Sequence, residues 1–503
     1  MFDSMILGLS NILQWNNMLA MCGGTALGLF VGAMPGLSAT MAIALLVPVT
    51  FAMPPETGIT MLASLYMGSM YGGSIAAILI RTPGTPSAAA TVMDGYPMAS
   101  RGEAGHALGI SLFASFVGGV VSSIALLTVA PLLGRVAVMF GPVELTSVAV
   151  LGMTIIASLS QGSPVKGLLS GSLGLALSTV GMDPITGIPR FTMNNINLFS
   201  GIPFTVALIG LFSIPQVLRL IEKDEDNAER IGTIEDSVVR PWFELRALLP
   251  TIVRSGLIGV FTGIIPGTGG DTACWFAYNE AKRFYKPGRS KHEFGDGNEY
   301  GIAAPESANN AVVGGALVPT ITLGIPGSSA TAVLLGGLMI HGIMPGPTLM
   351  TEYAGVTYTL LWAILFSCFA MFVEGLFFTR LCIAVTKIHN RILAVAITIL
   401  CVIGAFAINN NFFDVGLMFC FGILGYFMDK LKIPVAPLVV GLILGHMLDV
   451  SLHQALLISG GSWSIFVTNP ISAALLALAL LSLIQSTPWY VNWKKARQSK
   501  KAA

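Results

Sequence analysis

The chain has 503 residues, 54% of them hydrophobic and 10% charged, with a formal net charge of +1. A soluble domain carries about 25% charged residues, so this composition excludes an ordinary soluble fold. The near-zero charge excludes nucleic acid or another polyanion as an electrostatic partner. Charge is also segregated: no Asp, Glu, Lys or Arg occurs in 4–55, 57–80, 107–134, 145–165, 191–218, 307–351, 353–373, 392–413 or 450–493. Several windows hold more than one span of about 20 residues. They predict an all-α polytopic membrane protein with roughly 10–14 crossing or re-entrant segments. The apolar runs are continuous rather than alternating, which argues against a β-barrel.

In chain order, the first Lys or Arg is Arg81, so the N-terminus lacks the basic region of a secretory signal and no cleavage is expected. Met5, Ile6, Leu9, Ile12 and Leu13 share one side of a short interfacial helix leading into the first span. The stretch 28–36, "GLFVGAMPG", then places the helix breakers Pro35 and Gly36, with Ser38 just beyond, at membrane depth. A second break follows at Pro83-Gly84, with Thr85 after it and the lone cation Arg81 before it. Arg81 reads either as a clamp for a substrate carboxylate or as a snorkelling arginine near the interface. Asp94, in "MDGYP", reads as a turn residue.

Residues 219–246 are dense in charge and predict a soluble linker between two halves of similar size. The second half repeats the first. "GVFTGIIPG" at 259–267 matches "GLFVGAMPG" at a constant offset of 231, pairing Gly28 with Gly259, Phe30 with Phe261, Gly32 with Gly263, Pro35 with Pro266 and Gly36 with Gly267. "GGALVPTITLGIPG" at 314–327 resembles "GGSIAAILIRTPG" at 72–84, its Pro-Gly displaced by one residue. Two matches in the same order indicate duplication. The loop after the first break, 51–58, has no Lys or Arg, whereas its counterpart carries Lys282, Arg283, Lys286, Arg289 and Lys291. By the positive-inside rule the two loops lie on opposite sides, the signature of inverted-topology repeats. The expected division is 1–220, a first membrane repeat; 221–246, a soluble linker; 247–490, an inverted second repeat; and 491–503, a basic cytoplasmic tail.

Broken backbone at membrane depth is tolerated where it is buried in protein or lines a wet cavity. Carriers place their sites at such breaks, in corresponding positions of inverted halves. Freed amides at a half-helix N-terminus suit an anion and freed carbonyls suit Na⁺. The candidate substrate-binding residues are therefore Pro35, Gly36, Ser38, Arg81, Pro83, Gly84, Thr85, Pro266, Gly267, Thr268, Pro326, Gly327, Ser328 and Ser329. The hydroxyls among them read equally as caps for helix ends. Asn309 and Asn310 have carbonyl oxygens apt for Na⁺. Glu306 reads as a proton carrier or a helix-start acid, and Asp271 as a cap or an ion ligand. The histidines show no paired ligand spacing, so no metal site is expected. "GTGG" at 267–270 lacks the Lys-Ser/Thr of a P-loop, and no catalytic constellation is present, so neither an ATPase nor another enzyme is expected.

These stretches resemble the large permease subunit of the tripartite tricarboxylate transporters, the TctA family. The resemblance is carried by "GAMPGLSAT" (32–40), "YGGSIAAILIRTPGTPSAAATVMDGYPMA" (71–99), "GIIPGTGG" (263–270), "GIAAPESANNAVVGGALVPTITLGIPGS" (301–328), "HGIMPGP" (341–347) and "FDVGLMFCFGILGYFMDKLKIPVAPLVVGLILG" (413–445). It implies a secondary carrier of the bacterial inner membrane that takes up di- or tricarboxylates on an ion gradient. The implied partners are a periplasmic binding protein (TctC-like) and a small membrane subunit (TctB-like). No cofactor is implied beyond co-transported Na⁺ or H⁺. In one departure, Arg81 stands where the family commonly has a small polar residue such as Asn. By analogy with elevator carriers, a transport domain of broken helices would move past a scaffold drawn from about 107–180 and 352–460. The alternatives are a passive anion channel and a proton-coupled carrier.

Overall fold

The computed structural model describes residues 2–34, 37–159, 163–183, 185–222, 236–239, 242–286, 288–385 and 390–486. Pro35 and Gly36, most of the expected linker (223–235, 240 and 241) and the basic tail 491–503 lie outside the described residues. The helices of the first half are α1 (Phe2–Ile12), α2 (Trp15–Ala33), α3 (Ala39–Thr50), α4 (Pro55–Ile80), α5 (Val92–Ser100), α6 (Ala104–Ala137), α7 (Pro142–Leu159), α8 (Pro164–Ser178) and α9 (Phe204–Glu222). A short hairpin of β1 (Gly181–Met182) and β2 (Pro189–Arg190) joins α8 to α9. The second half holds α10 (Trp242–Ile264), α11 (Gly269–Phe284), α12 (Glu299–Leu323), α13 (Ser329–Ile340), α14 (Ala354–Val385), α15 (Asn390–Asn409), α16 (Phe412–Lys430), α17 (Ala436–Ile458), α18 (Ile465–Thr468) and α19 (Pro470–Ser486). Among the described residues, eight helices are long and apolar enough to cross a membrane, and four more apolar helices are shorter. The protein is a multi-pass membrane protein of almost wholly helical fold.

Helices stop where the breakers stand. α4 gives way to Pro83-Gly84, α10 to Pro266-Gly267 and α12 to Pro326-Gly327. α3, α11 and α13 begin just beyond a break. The halves also pack alike. α2 lies along α4 as α10 lies along α12, and their glycines set the approach. A Cβ at Gly28 would stand 2.4 Å from the Leu65 carbonyl oxygen, and one at the matching Gly259 the same 2.4 Å from that of Ala308. Small residues let backbones meet where no hydrophobic effect drives association.

One long helix of each half crosses over. α6 packs on α12 and α10 of the second half, and α14 packs on α4 and α2 of the first. A peripheral group follows the same correspondence, with α9 against α15 and α16, and α17 against α7 and α8. The expected scaffold of 107–180 and 352–460 thus divides differently: α6 and α14 lie against the broken helices, while α9 lies with α15 and α16. α1 runs along α14, where the Trp362 indole N–H donates to the Met5 carbonyl at 3.0 Å. Ile12 is buried there, while Ile6 and Leu13 stay about half exposed.

Candidate binding site at crossed helix ends

The half-helix N-termini meet in pairs, each pair taking one member from each half. α3 starts at the N-cap Ser38, whose hydroxyl accepts from the Met41 amide at 3.3 Å. α13 starts at Ser328, whose hydroxyl accepts from the Thr331 amide at 3.2 Å while Thr331 Oγ1 accepts from the Ser328 amide at 2.9 Å. Capping therefore accounts for part of both serines, as the alternative reading allowed. The two ends also touch each other. Thr40 Oγ1 and Ser329 Oγ are hydrogen-bonded at 2.9 Å, and Ser328 Oγ is 3.1 Å from the Tyr66 hydroxyl of α4.

The second pair joins α11 to the turn after the Pro83-Gly84 break. Gly84 N–H donates to the Gly73 carbonyl at 3.0 Å, and the buried Thr85 hydroxyl meets Ser87 Oγ at 3.2 Å. A Cβ at Gly270, in the first turn of α11, would stand 2.8 Å from Ser87 Cβ and 3.3 Å from Asn309 Oδ1. Asp271, one residue on, lines an open groove of about 400 Å³ with Pro86, Thr272, Trp275, Phe276 and Asn279. The two breaks of the second half touch directly, Gly267 N–H donating to the Gly327 carbonyl at 3.1 Å. Thr268 instead turns back, donating to the carbonyls of Ile265 at 2.8 Å and of Thr262, so its hydroxyl serves the end of α10.

Between the pairs, α12 presents Glu306, Asn309 and Asn310 in about one turn, all fully buried. Ser74 at 2.7 Å and Thr91 donate to Glu306 Oε1; Ser111 at 2.9 Å and Ser115 at 3.1 Å donate to Oε2. These hydroxyls come from α4, from the residue preceding α5, and from α6. None of the described ion pairs includes Glu306. Four hydroxyl groups thus give the buried Glu306 carboxyl its hydrogen-bond partners. Asn309 Nδ2 donates to the Met70 carbonyl at 3.1 Å, and Asn310 Nδ2 to that of Met67 at 3.4 Å. Asn310 Nδ2 also meets Met371 Sδ of α14 at 3.3 Å, and both Oδ1 atoms are buried without a hydrogen-bond partner. A buried unpaired acceptor costs about 1–3 kcal/mol, so each Oδ1 is an acceptor left unused by its surroundings.

Arg81 stands outside this cluster. It is exposed, its guanidinium lies 5.6 Å above the Tyr96 ring, and its backbone is left-handed with φ 57°. At the matching end of α12 the left-handed residue is Gly324, φ 72°. Asp94 differs from the turn expected of it. It is fully buried in the first turn of α5 and gathers the loop before α12: Oδ1 accepts from the amides of Gly295 at 2.9 Å, Gly297 at 3.0 Å and Asn298 at 2.7 Å, and Oδ2 from the Tyr278 hydroxyl at 2.8 Å. The Asp-Gly and Tyr-Pro chemistry is local, and four tertiary donors outweigh it.

Thr40, Tyr66, Ser87 and the four hydroxyls on Glu306 are absent from the sequence candidates. Thr40 was accessible, because the offset of 231 lands it on Asp271. Tyr66, inside the long apolar α4, carries no such mark.

Residues 18–440 match the sequence family described as Tripartite tricarboxylate transporter TctA family. An uncharacterized 52.8 kDa protein from the TAR-I ttuC' 3' region of Agrobacterium vitis is 35% identical over 489 residues, covering 96% of each chain. An uncharacterized protein from the TAR-II ttuC' 3' region of the same organism is 36% identical over 226 residues, covering 45% of this chain and 92% of its own. No solved structure matches the chain. With a family match and a full-length relative in agreement, the chain belongs to the tripartite tricarboxylate transporter TctA family, as a membrane transport component that works with other subunits.

Proposed function

We propose that this chain is the permease subunit of a binding-protein-dependent secondary active transporter of the bacterial inner membrane, importing di- or tricarboxylates on an inward Na⁺ gradient. Its partners would be a periplasmic binding protein that delivers the carboxylate and a small membrane subunit. The observation that carries this reading is the crossed meeting of α3 and α13, hydroxyl to hydroxyl, at Thr40–Ser329 and Ser328–Tyr66. Two helix N-termini and a ring of neutral donors present partial positive charge without a fixed cation, which suits an anion that must be released again.

Carboxylate oxygens would take the place of the hydroxyl–hydroxyl contacts. Na⁺ would take the orphaned Asn309 and Asn310 oxygens, with Asp271 and Glu306 setting the local negative potential. The two halves would be inverted, and the broken-helix bundle would move as a unit against the peripheral helices. The test is uptake of labelled citrate and succinate by the reconstituted three-subunit system. Tyr66→Phe and Thr40→Val, at equal membrane abundance, should each raise the half-saturating concentration about 5- to 30-fold, the equivalent of losing about 1–2 kcal/mol. Unchanged half-saturation in both variants would remove the carboxylate from this junction.

A further inference from the structure

The open groove beside Asp271 has a closed counterpart in the same molecule. Its six lining residues are Pro86, Asp271, Thr272, Trp275, Phe276 and Asn279. The repeat offsets, 231 for α3 with α11 and 243 at the second Pro-Gly, map these onto Ser329, Thr40, Met41, Ala44, Leu45 and Pro48. That second set is not open. Thr40 and Ser329 are hydrogen-bonded to each other, and Met41 and Ala44 are buried. Met41 and Leu45 belong to a cluster with Val206 and Ile209 of α9 and with Ala394, Ile397 and Cys401 of α15. A Cβ at Gly404 of α15 would stand 2.7 Å from Pro48 Cγ. On the open side, Trp275 is 41% and Phe276 56% exposed, and among the described residues α11 makes no comparable packing with α7 or α17, the counterparts of α15 and α9.

The molecule is therefore duplicated in its elements but not in its contacts: one of two equivalent faces is docked and the other is free. We infer that the free face of α11 is a second docking surface for the peripheral helices, used in the alternate state of the transport cycle, when it seats on α7 and α17 while α3 leaves α15 and α9. This rests on the moving-bundle reading proposed above and adds which surfaces exchange. Two near-equivalent contacts related by a repeat supply the pair of discrete arrangements that alternation needs. The last turn of α11 carries Lys282 and Arg283, and Lys286 follows it, so the positive-inside rule places its groove toward the cytoplasm. The structure is then the state in which the site opens inward, with the α3–α13 junction shut.

The test uses the reconstituted three-subunit system with the six native cysteines replaced by alanine. Pro48→Cys with Gly404→Cys forms the lock, and Asn279→Cys in the groove is the reporter for a membrane-permeant maleimide. Oxidative cross-linking of the lock should abolish citrate and succinate uptake, and reduction should restore it. The reporter should label at least threefold faster in the locked protein than in the same protein cycling with substrate and Na⁺. Gly152→Cys with Ile325→Cys, between α7 and the last break, where a Cβ at Gly152 would stand 3.1 Å from Ile325 Cγ2, is a second lock should the first pair fail to accumulate. Equal labelling in locked and cycling protein, with uptake still lost on locking, overturns the inference: the groove is then a constant lipid or subunit surface, and the carrier reading stands. Uptake that persists through complete cross-linking overturns the moving bundle itself.

Discussion

Asn309 is the residue on which the coupling argument turns. Its amide nitrogen is fixed by the Met70 carbonyl, which aims Oδ1 at the first turn of α11 and leaves it without a partner. If Na⁺ binds at Oδ1, Asn309→Ala removes a ligand. The Na⁺ concentration for half-maximal uptake should then rise about tenfold or more, the equivalent of about 1.4 kcal/mol. The check is a Na⁺ titration of uptake; no change would move the ion elsewhere. Arg81 makes the opposite kind of prediction. An exposed guanidinium contributes at most about 1 kcal/mol to an ion pair, so Arg81→Ala should alter the half-saturating carboxylate concentration by no more than about fivefold. A larger loss would restore the clamp. Its left-handed backbone adds a second expectation. Arg81→Gly, which copies Gly324, relieves a conformation that costs a side-chain-bearing residue about 1–2 kcal/mol. It should raise, and not lower, the thermal stability of the purified protein.

The elements carry consequences of their own, and they separate what the sequence showed from what it hid. Asp94 pins the loop before α12 to α5 with four donors. Asp94→Ala would leave three amides unpaired at about 1–3 kcal/mol each, so the melting temperature in detergent should fall sharply, whereas Asp94→Asn, which keeps an acceptor, should fall less. Gly28→Ala forces a Cβ against the Leu65 carbonyl, at about 1–3 kcal/mol, and Gly259→Ala should cost the same because the geometry repeats. The breaks and caps were legible because Pro, Gly and Ser act through local backbone chemistry: Ser38 and Ser328 are N-caps just past a Pro-Gly. Asp94 was misread because its local turn grammar is real but weaker than four tertiary donors. Tyr66 and the hydroxyls around Glu306 were illegible because the surroundings of each come from distant segments. Ser74 meets Glu306 across 232 residues.

The duplication showed in the sequence, but not the exchange of α6 and α14 between halves, which depends on which small residue faces which backbone across the bundle. That exchange ties the halves into one body around the paired helix ends, and it leaves α7–α9 and α15–α17 as the surfaces against which that body would move. The central claim is that this body carries a carboxylate uphill at the cost of an ion gradient. The measurement that addresses it most directly is uptake of labelled citrate and succinate into proteoliposomes holding the permease, the small subunit and the binding protein, with Na⁺ and pH gradients imposed separately. The account predicts internal accumulation above the external concentration only when Na⁺ is higher outside, with collapse on adding a Na⁺ ionophore. Equilibration to the external concentration whatever the gradients, as through a passive pore, would contradict it.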